Sequence, residues 1–196
     1  MKVTFFQKNP KIYSCNSYLI CGSSNALEDV NTIIDPGTDD FIFAELQTLS
    51  TGVGKRRVEQ IILTHEHFDH AGGIPKLVKE YHPKVIALSS SLPITQKAYD
   101  GQILKVGDRE AQIIVTPGHS SDSICIYVPS EKTLFSGDTP LNIKAPGNYP
   151  NEFIIALERI MSLDIKTIYS GHDMPCTSNI SEMLRFSYEN VMKGQM

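Results

Sequence analysis

Residues 64–70 read Thr-His-Glu-His-Phe-Asp-His and directly follow the apolar run of residues 58–63. Three of the six histidines of the chain lie in this one segment. Neutral imidazole is the commonest metal ligand in proteins, and carboxylate is its usual companion at borderline cations such as zinc. The segment therefore predicts a metal site built from His65, His67, Asp69 and His70.

Three further candidate ligands each follow a glycine at the end of a β-branched or aromatic run: His119 after residues 113–118, Asp138 after 134–137 and His172 after 168–171. Loops at the ends of buried strands are held by a rigid core and often carry binding sites. A glycine there lets the backbone approach a metal or a substrate closely. We interpret the seven residues as one centre, and we interpret His82, beside Pro83, as a structural histidine.

The spacing of the ligands favours two cations rather than one. His65 and His67 can project to the same side of an extended turn and bind one cation, whereas Asp69 and His70 are displaced toward a second. With Asp138 bridging, two divalent cations, two carboxylates and a shared hydroxide leave a net positive charge that attracts a developing oxyanion. Such a pair lowers the pKa of the shared water and polarises a carbonyl. Asp69 and Asp138 are therefore the candidate catalytic carboxylates.

The composition predicts an ordinary globular protein. The 196 residues fit a single domain spanning 1–196. A formal net charge of −4 argues against nucleic acid or an anionic membrane as a partner. We find neither a signal peptide nor an apolar stretch of transmembrane length. The four cysteines lack C-x-x-C spacing and are expected to be free. We therefore expect a cytoplasmic protein with a small-molecule substrate, and the oligomeric state stays open.

The order of the predicted elements suits a two-sheet core with helices outside. Strands are predicted at residues 2–7, 17–21, 31–35, 58–63, 85–88, 112–116, 124–128, 133–135 and 167–169. Helices are predicted at residues 39–49, 74–81, 152–161 and 181–192. The last helix is expected to be capped by Ser178 or Asn179.

The combination of His65-Glu66-His67-Phe68-Asp69-His70, Pro117-Gly118-His119, Gly137-Asp138 and Gly171-His172 resembles the metallo-β-lactamase fold, over residues 16–173. The resemblance implies an α/β fold, a four-layer αββα sandwich of two mixed β-sheets with helices on the outer faces and metals along one edge. By position it implies that His65, His67 and His119 bind one metal, that Asp69, His70 and His172 bind the other, and that Asp138 bridges them.

The resemblance also bears on Asp35, on the metals and on the excluded activities. Asp35 matches an acidic residue that ends an early strand, where it either orients a ligand or caps Gly37 and Thr38 in a turn. The expected cofactors are two divalent metal ions, with zinc the first choice and iron or manganese as alternatives.

Two ligand positions differ from those of other members of the family. Asp138 replaces the cysteine of the largest class of zinc β-lactamases, and His67 replaces a glutamate of flavo-diiron proteins. Both differences argue against those activities.

Two functions remain compatible with these residues. The first is a hydrolase similar to glyoxalase II or to lactonases, which cleaves a thioester, ester or lactone with a metal-activated hydroxide. The alternative is a mononuclear iron sulfur (persulfide) dioxygenase. Both relatives usually carry Gly-Arg-x-Asp after the bridging aspartate, but residues 138–149 contain no arginine. A binding protein with a vestigial site is disfavoured because no ligand position is lost. Lys144 and Tyr149 are candidate substrate contacts, although an exposed lysine and a packing tyrosine are the favoured interpretation.

Overall fold

The computed structural model describes residues 1–38, 40–89 and 94–195, and its strands form two sheets. The first sheet contains β1 (Lys2–Phe6), β2 (Ser17–Cys21), β3 (Thr32–Ile34), β4 (Gln60–Ile62), β5 (Lys84–Ala87) and β6 (Gln96–Lys97) in spatial order. The second contains β7 (Ile103–Val106), β8 (Arg109–Val115), β9 (Ile124–Val128), β10 (Thr133–Gly137) and β11 (Thr167–Ser170), also in order. Both sheets are mixed: β3 to β6 pair in parallel, as do β10 and β11, and the other neighbours are antiparallel.

Among the described residues, four α-helices cover the outer faces, α1 (Phe41–Thr48), α3 (Ile74–Tyr81), α4 (Asn151–Met161) and α5 (Ile180–Gly194), and the single turn α2 (Phe68–Ala71) lies in the histidine-rich loop. Successive residues of a strand point to opposite faces of the sheet. In β2, Leu19 accordingly packs in a cluster with Leu46 of α1 and Leu77 of α3, whereas Ile20 packs with Ile126 between the sheets. A third cluster joins the other face of the second sheet to α4 and α5. The predicted αββα sandwich is confirmed.

Aromatic residues from both sheets close the interior at the edge where the predicted ligands lie. Phe135 is fully buried, its ring centroid 5.5 Å from that of Tyr18 and 5.1 Å from that of Tyr169. The Tyr18 hydroxyl donates a hydrogen bond of 2.6 Å to the Ser170 carbonyl. Burying a side chain of this size contributes about 1.5–3 kcal/mol, so the contact holds the two sheets firmly at this edge.

Several predicted boundaries differ from those of the structure. α1 begins at Phe41, and Asp39, where the helix was predicted to start, lies outside the described residues. α5 extends from Ile180 to Gly194, further at both ends than predicted. Asn179 precedes it with a left-handed φ of 56° and makes no side-chain capping hydrogen bond, so the predicted side-chain cap is wrong. Among the described residues, no helix combines the length and hydropathy that crossing a bilayer requires.

The sequence analysis also missed the two strands that precede β8. β6 has only two residues, too few for a pattern. β7 pairs with β8 as a hairpin whose two connecting residues are Gly107 and Asp108. Gly107 has a φ of +56°, and an added Cβ would lie 2.8 Å from the Cys21 backbone. A Gly-Asp pair between apolar runs is a hairpin signal that the sequence did contain.

Candidate metal centre

The predicted ligands converge at one edge of the sandwich because four strands end there. β8 and β10 both run antiparallel to β9, and β11 runs parallel to β10, so the loops after these three strands meet. The loop after β4 joins them from the other sheet. The Ile124 N–H donates to the Thr64 carbonyl at 2.9 Å, and the Glu66 N–H donates to Asp122 Oδ2 at 2.8 Å. The sheet junction thus holds the histidine-rich loop in place.

The side chains form two donor groups. His65, His67 and His119 form one group, and Asp69, His70, Asp138 and His172 form the other; within each group the donor atoms lie within 4.8 Å of one another. All seven sequence-predicted residues therefore lie together, whereas His82 is exposed at the end of α3. Their role as metal ligands stays a prediction.

Asp138 belongs to the second group but also lies close to the histidines of the first. Its Oδ2 atom is 3.1 Å from His172 Nε2, 3.6 Å from His119 Nε2 and 4.0 Å from His65 Nε2. Its Oδ1 atom is 3.3 Å from His70 Nε2. Asp69 belongs to the second group alone, with Oδ2 3.1 Å from His172 Nε2. Asp138 therefore has the position that a bridging ligand requires.

Buried polar atoms test whether these residues suit a metal. Four such atoms in the two groups have no hydrogen-bond partner: His65 Nε2, His70 Nε2, Asp69 Oδ2 and Asp138 Oδ1. A buried polar atom without a partner costs about 1–3 kcal/mol, so proteins seldom leave four of them facing one another. Coordination to cations would satisfy all four. Imidazole nitrogens and carboxylate oxygens suit zinc, iron and manganese, and the residues therefore fit divalent metal ions.

Burial and neighbouring charges set the protonation of the cluster. Burial lowers the pKa of His65 to about 4, and the charge of His70 acts in the same direction. Burial also lowers the pKa of His119. Both imidazoles are therefore held neutral, which is the form that binds a metal. For Asp138, burial raises the pKa, but the close imidazoles of His172 and His70 outweigh it and hold the pKa well below its usual range.

Two neighbouring carboxylates favour the protonated form of His70. Burial lowers its pKa, but the charge of Asp35, the nearby Asp138 carboxylate and the hydrogen bond to Asp35 raise the pKa well above its ordinary value. The ring faces a carboxylate on each side, with Nδ1 2.8 Å from Asp35 Oδ2. Metal binding through Nε2 would therefore release the Nε2 proton and leave Nδ1–H donated to Asp35.

Asp35 orients the ligand loop from behind. Its carboxylate is only 1% exposed and accepts hydrogen bonds from the Thr64 N–H and the Thr64 hydroxyl, both at 2.7 Å, besides the bond from His70. The alternative role, capping of the turn that follows, is wrong. The Gly37 N–H donates to the His70 carbonyl at 3.1 Å, and the Thr38 N–H donates to a serine hydroxyl.

The glycines before the ligands serve different neighbours. A Cβ added to Gly171 would overlap the Asp138 carboxylate and lie 2.7 Å from His70 Cε1, so this glycine gives the ligands room. Gly137 has a φ of +50°, and an added Cβ would collide with the Thr64 side chain. At Gly118 the obstacle would be Phe153 of α4, at 2.7 Å. The absence of a side chain thus gives room to candidate ligands at Gly171 and lets α4 pack closely at Gly118.

The loop between β1 and β2 borders the centre, although the sequence analysis did not assign it to the site. Lys8 Nζ lies 3.4 Å from His172 Nδ1, and the Tyr13 ring stacks on the His172 ring with centroids 6.4 Å apart. These contacts join residues about 160 positions apart, and a single sequence contains no local signal for them.

Two adjoining cavities lead away from the donor groups. One of about 250 Å³ is bordered by His119, Asp138 and His172, and the next, of about 350 Å³, by Lys144 and Met174. They share Thr139, Leu141, Asn142, Ser170 and Asp173. Tyr149 instead packs on Phe153, with ring centroids 4.9 Å apart, which agrees with the favoured interpretation of this residue. Lys144 is exposed, but it lines the second cavity.

Comparison with known proteins connects this arrangement to a family. The family model described as metallo-beta-lactamase superfamily matches residues 11–172. An atrochrysone carboxyl ACP thioesterase of Aspergillus fumigatus is 29% identical over 175 residues, covering 83% of this chain and 51% of the relative. A hydroxyacylglutathione hydrolase of Francisella tularensis subsp. novicida is 33% identical over 166 residues, covering 80% of this chain and 62% of the relative. The chain thus spans only about half to three fifths of the length of these relatives.

Solved structures share the fold. The crystal structure of ETHE1 from Myxococcus xanthus superposes with a TM-score of 0.72 at 21% identity and covers 97% of this chain and 88% of that one. At this identity the likeness concerns the architecture alone. The four-layer sandwich is therefore supported independently of the sequence match.

Proposed function

Since the chain belongs to the metallo-beta-lactamase superfamily, we propose that it is a metal-dependent hydrolase acting on a thioester of a small molecule, with esters and lactones as related substrates. The observation that carries the proposal is the position of Asp138 between two donor groups that contain buried, unpartnered atoms. One of the relatives described above is named a thioesterase and the other a hydroxyacylglutathione hydrolase. Acylglutathione is itself a thioester, which is why thioesters come first.

The proposed chemistry divides between the cations and the side chains. Two divalent ions, zinc in our proposal, would supply Lewis acidity and a hydroxide at neutral pH. His65, His67 and His119 would hold one ion, Asp69, His70 and His172 would hold the other, and Asp138 would be a ligand of both. The low pKa of Asp138 keeps its carboxylate ionised and able to bind cations.

The cavity beside Asp138 and His172 would bind the substrate, with its scissile carbonyl toward the donor groups. A thiolate needs little protonation to leave, because thiols ionise near pH 8.5. Cleavage of a thioester therefore requires less general acid catalysis than cleavage of an amide. This difference supports a thioester over an amide at a site where burial holds His65 neutral and His172 Nε2 lies 3.1 Å from Asp69 Oδ2.

The cytoplasm is the proposed location of the reaction. All four cysteines are free, and Cys15, Cys21 and Cys125 are buried. The prediction of free cysteines is thus confirmed, and free thiols suit a reducing compartment. Cys176 is half-buried.

The decisive experiment measures thioester and lactone cleavage by zinc-loaded protein under nitrogen. A hydrolase turns over without oxygen and with a redox-inert metal. Asp138→Ala should abolish the activity, and His82→Ala, at an exposed histidine away from both donor groups, is the matched control. Oxygen consumption with glutathione persulfide, seen only in iron-loaded protein, would instead establish the mononuclear dioxygenase.

A further inference from the structure

Asn16 is a buried side chain that connects the first sheet to the loop of His172. It directly precedes β2 and is 2% exposed. Its Nδ2 group donates to the carbonyls of Ser170, at 3.2 Å, and Asp173, at 2.8 Å. Its Oδ1 atom accepts the Lys8 N–H at 2.9 Å. Both amide hydrogens and the amide oxygen of Asn16 therefore form hydrogen bonds.

These bonds hold the chain on both sides of His172. The Asn16 N–H also donates to the Gly171 carbonyl at 2.6 Å, so this one residue binds carbonyls before and after the ligand. The adjacent Cys15 N–H donates to the Asp69 carbonyl at 3.1 Å. Two consecutive residues thus fix the loops of Asp69 and His172, the two ligands whose side chains approach to 3.1 Å.

We propose that Asn16 is a positioning residue for the second donor group, and that it sets the affinity of this group for its cation by holding the His172 loop against Asp69. The proposal rests on the proposed metal centre. The His172 side chain is 30% exposed, so packing alone does little to hold it, whereas Asp69 is buried. Metal ligands must be held to about 0.5 Å, which needs support from surrounding hydrogen bonds.

The chemistry of the amide explains why asparagine stands at this position. An amide can donate to two carbonyls and accept an N–H at once, whereas a carboxylate of the same shape has no donor. Asn16→Asp would keep the acceptor for Lys8 but place a charged oxygen against the Ser170 and Asp173 carbonyls. The His172 loop would then shift, while the ligands of the first group lie on other loops.

The test compares Asn16→Asp with the matched control Asn31→Asp. Asn31 is also fully buried and donates to two backbone carbonyls, those of Thr51 and Arg56, but it precedes β3 at the end opposite Asp35. Zinc affinities would be measured by competition with a chromophoric chelator, and the cobalt-substituted spectra would be recorded. We expect the second cation to bind about 10–100-fold more weakly in Asn16→Asp, with the first unchanged, and both affinities unchanged in Asn31→Asp.

Equal effects in the two variants, or an unchanged second affinity in Asn16→Asp, would overturn the positioning role. If wild-type protein binds no second cation, the proposed metal centre fails instead, so the two failures are distinguishable. Should Asn16→Asp not fold, Asn16→Ser measured against Asn31→Ser replaces it. Serine retains one donor, and an intermediate, second-site-specific loss is then expected.

Discussion

Replacing Asp35 by asparagine changes which nitrogen of the neutral His70 ring carries the proton. Asp35 Oδ2 accepts hydrogen bonds from the Thr64 hydroxyl at 2.7 Å and from His70 Nδ1 at 2.8 Å, while Oδ1 accepts the Thr64 N–H. In Asp35→Asn the amide oxygen must keep the Thr64 N–H, so the NH₂ group faces His70. It donates to Nδ1, which favours the tautomer protonated at Nε2. An imidazole protonated at Nε2 cannot bind a cation through this atom.

The size of the effect follows from the bond that is lost. A hydrogen bond to a charged group contributes about 1.5–3 kcal/mol, and each 1.4 kcal/mol corresponds to about tenfold in a binding constant. We therefore expect the second cation to bind about 10–100-fold more weakly, in line with other residues that support metal-binding histidines. The effect on the first cation should be smaller, since His67 and His119 have no contact with Asp35 among the described hydrogen bonds and His65 is connected to it only through the Thr64 hydroxyl.

The assay is competitive zinc titration of Asp35→Asn beside Asp29→Asn. Asp29 is likewise a buried carboxylate, 6% exposed, that accepts a backbone N–H, from Ala26 at 2.8 Å, but it lies outside both donor groups. Both variants should lose some stability, and only Asp35→Asn should lose affinity for the second cation. Wild-type affinity for both cations in Asp35→Asn would refute the tautomer argument.

Three other outcomes are expected. Asp138→Ala should weaken binding of both cations and His172→Ala mainly that of one, as measured by elemental analysis after desalting; equal losses in the two variants would contradict the shared position of Asp138. Gly171→Ala should lower metal occupancy while circular dichroism stays native, because the new Cβ overlaps the Asp138 carboxylate; unchanged occupancy would disprove this crowding. Specificity constants for S-lactoylglutathione and a simple acyl thioester should lie within about tenfold, or ~1.4 kcal/mol, because no arginine follows Asp138 in residues 138–149. A thousandfold preference for the glutathione substrate would show a dedicated glutathione pocket.

The candidate ligands were predictable because their signals are local. Four of them lie within residues 64–70, and the other three each follow a glycine at a strand end. Pairing of the strands brings the ends of β8, β10 and β11 together. Ligands that follow strand ends are therefore expected to form one cluster. The predicted layers followed from the order of strands and helices along the chain.

The supporting residues were not predictable to the same degree, because their partners are distant in sequence. Asp35 bonds to residues 29 and 35 positions away, which is why its two possible roles could not be separated. Asn16 directly precedes a predicted strand, and the carbonyls to which its side chain donates lie more than 150 positions further along. Lys8 and Tyr13 contact His172 through a loop without regular structure, which leaves no periodic pattern to recognise.

The origin of the ligands in both sheets has a consequence for biosynthesis. Chains are made from the N-terminus, and domains generally fold as units. Four of the candidate donors have been synthesised once the chain reaches residue 70. The group that pairs Asp69 with His172 is incomplete until residue 172 has left the ribosome. A nascent chain that ends just before β11 therefore contains six of the seven candidate donors, including the complete group of His65, His67 and His119, and lacks only His172.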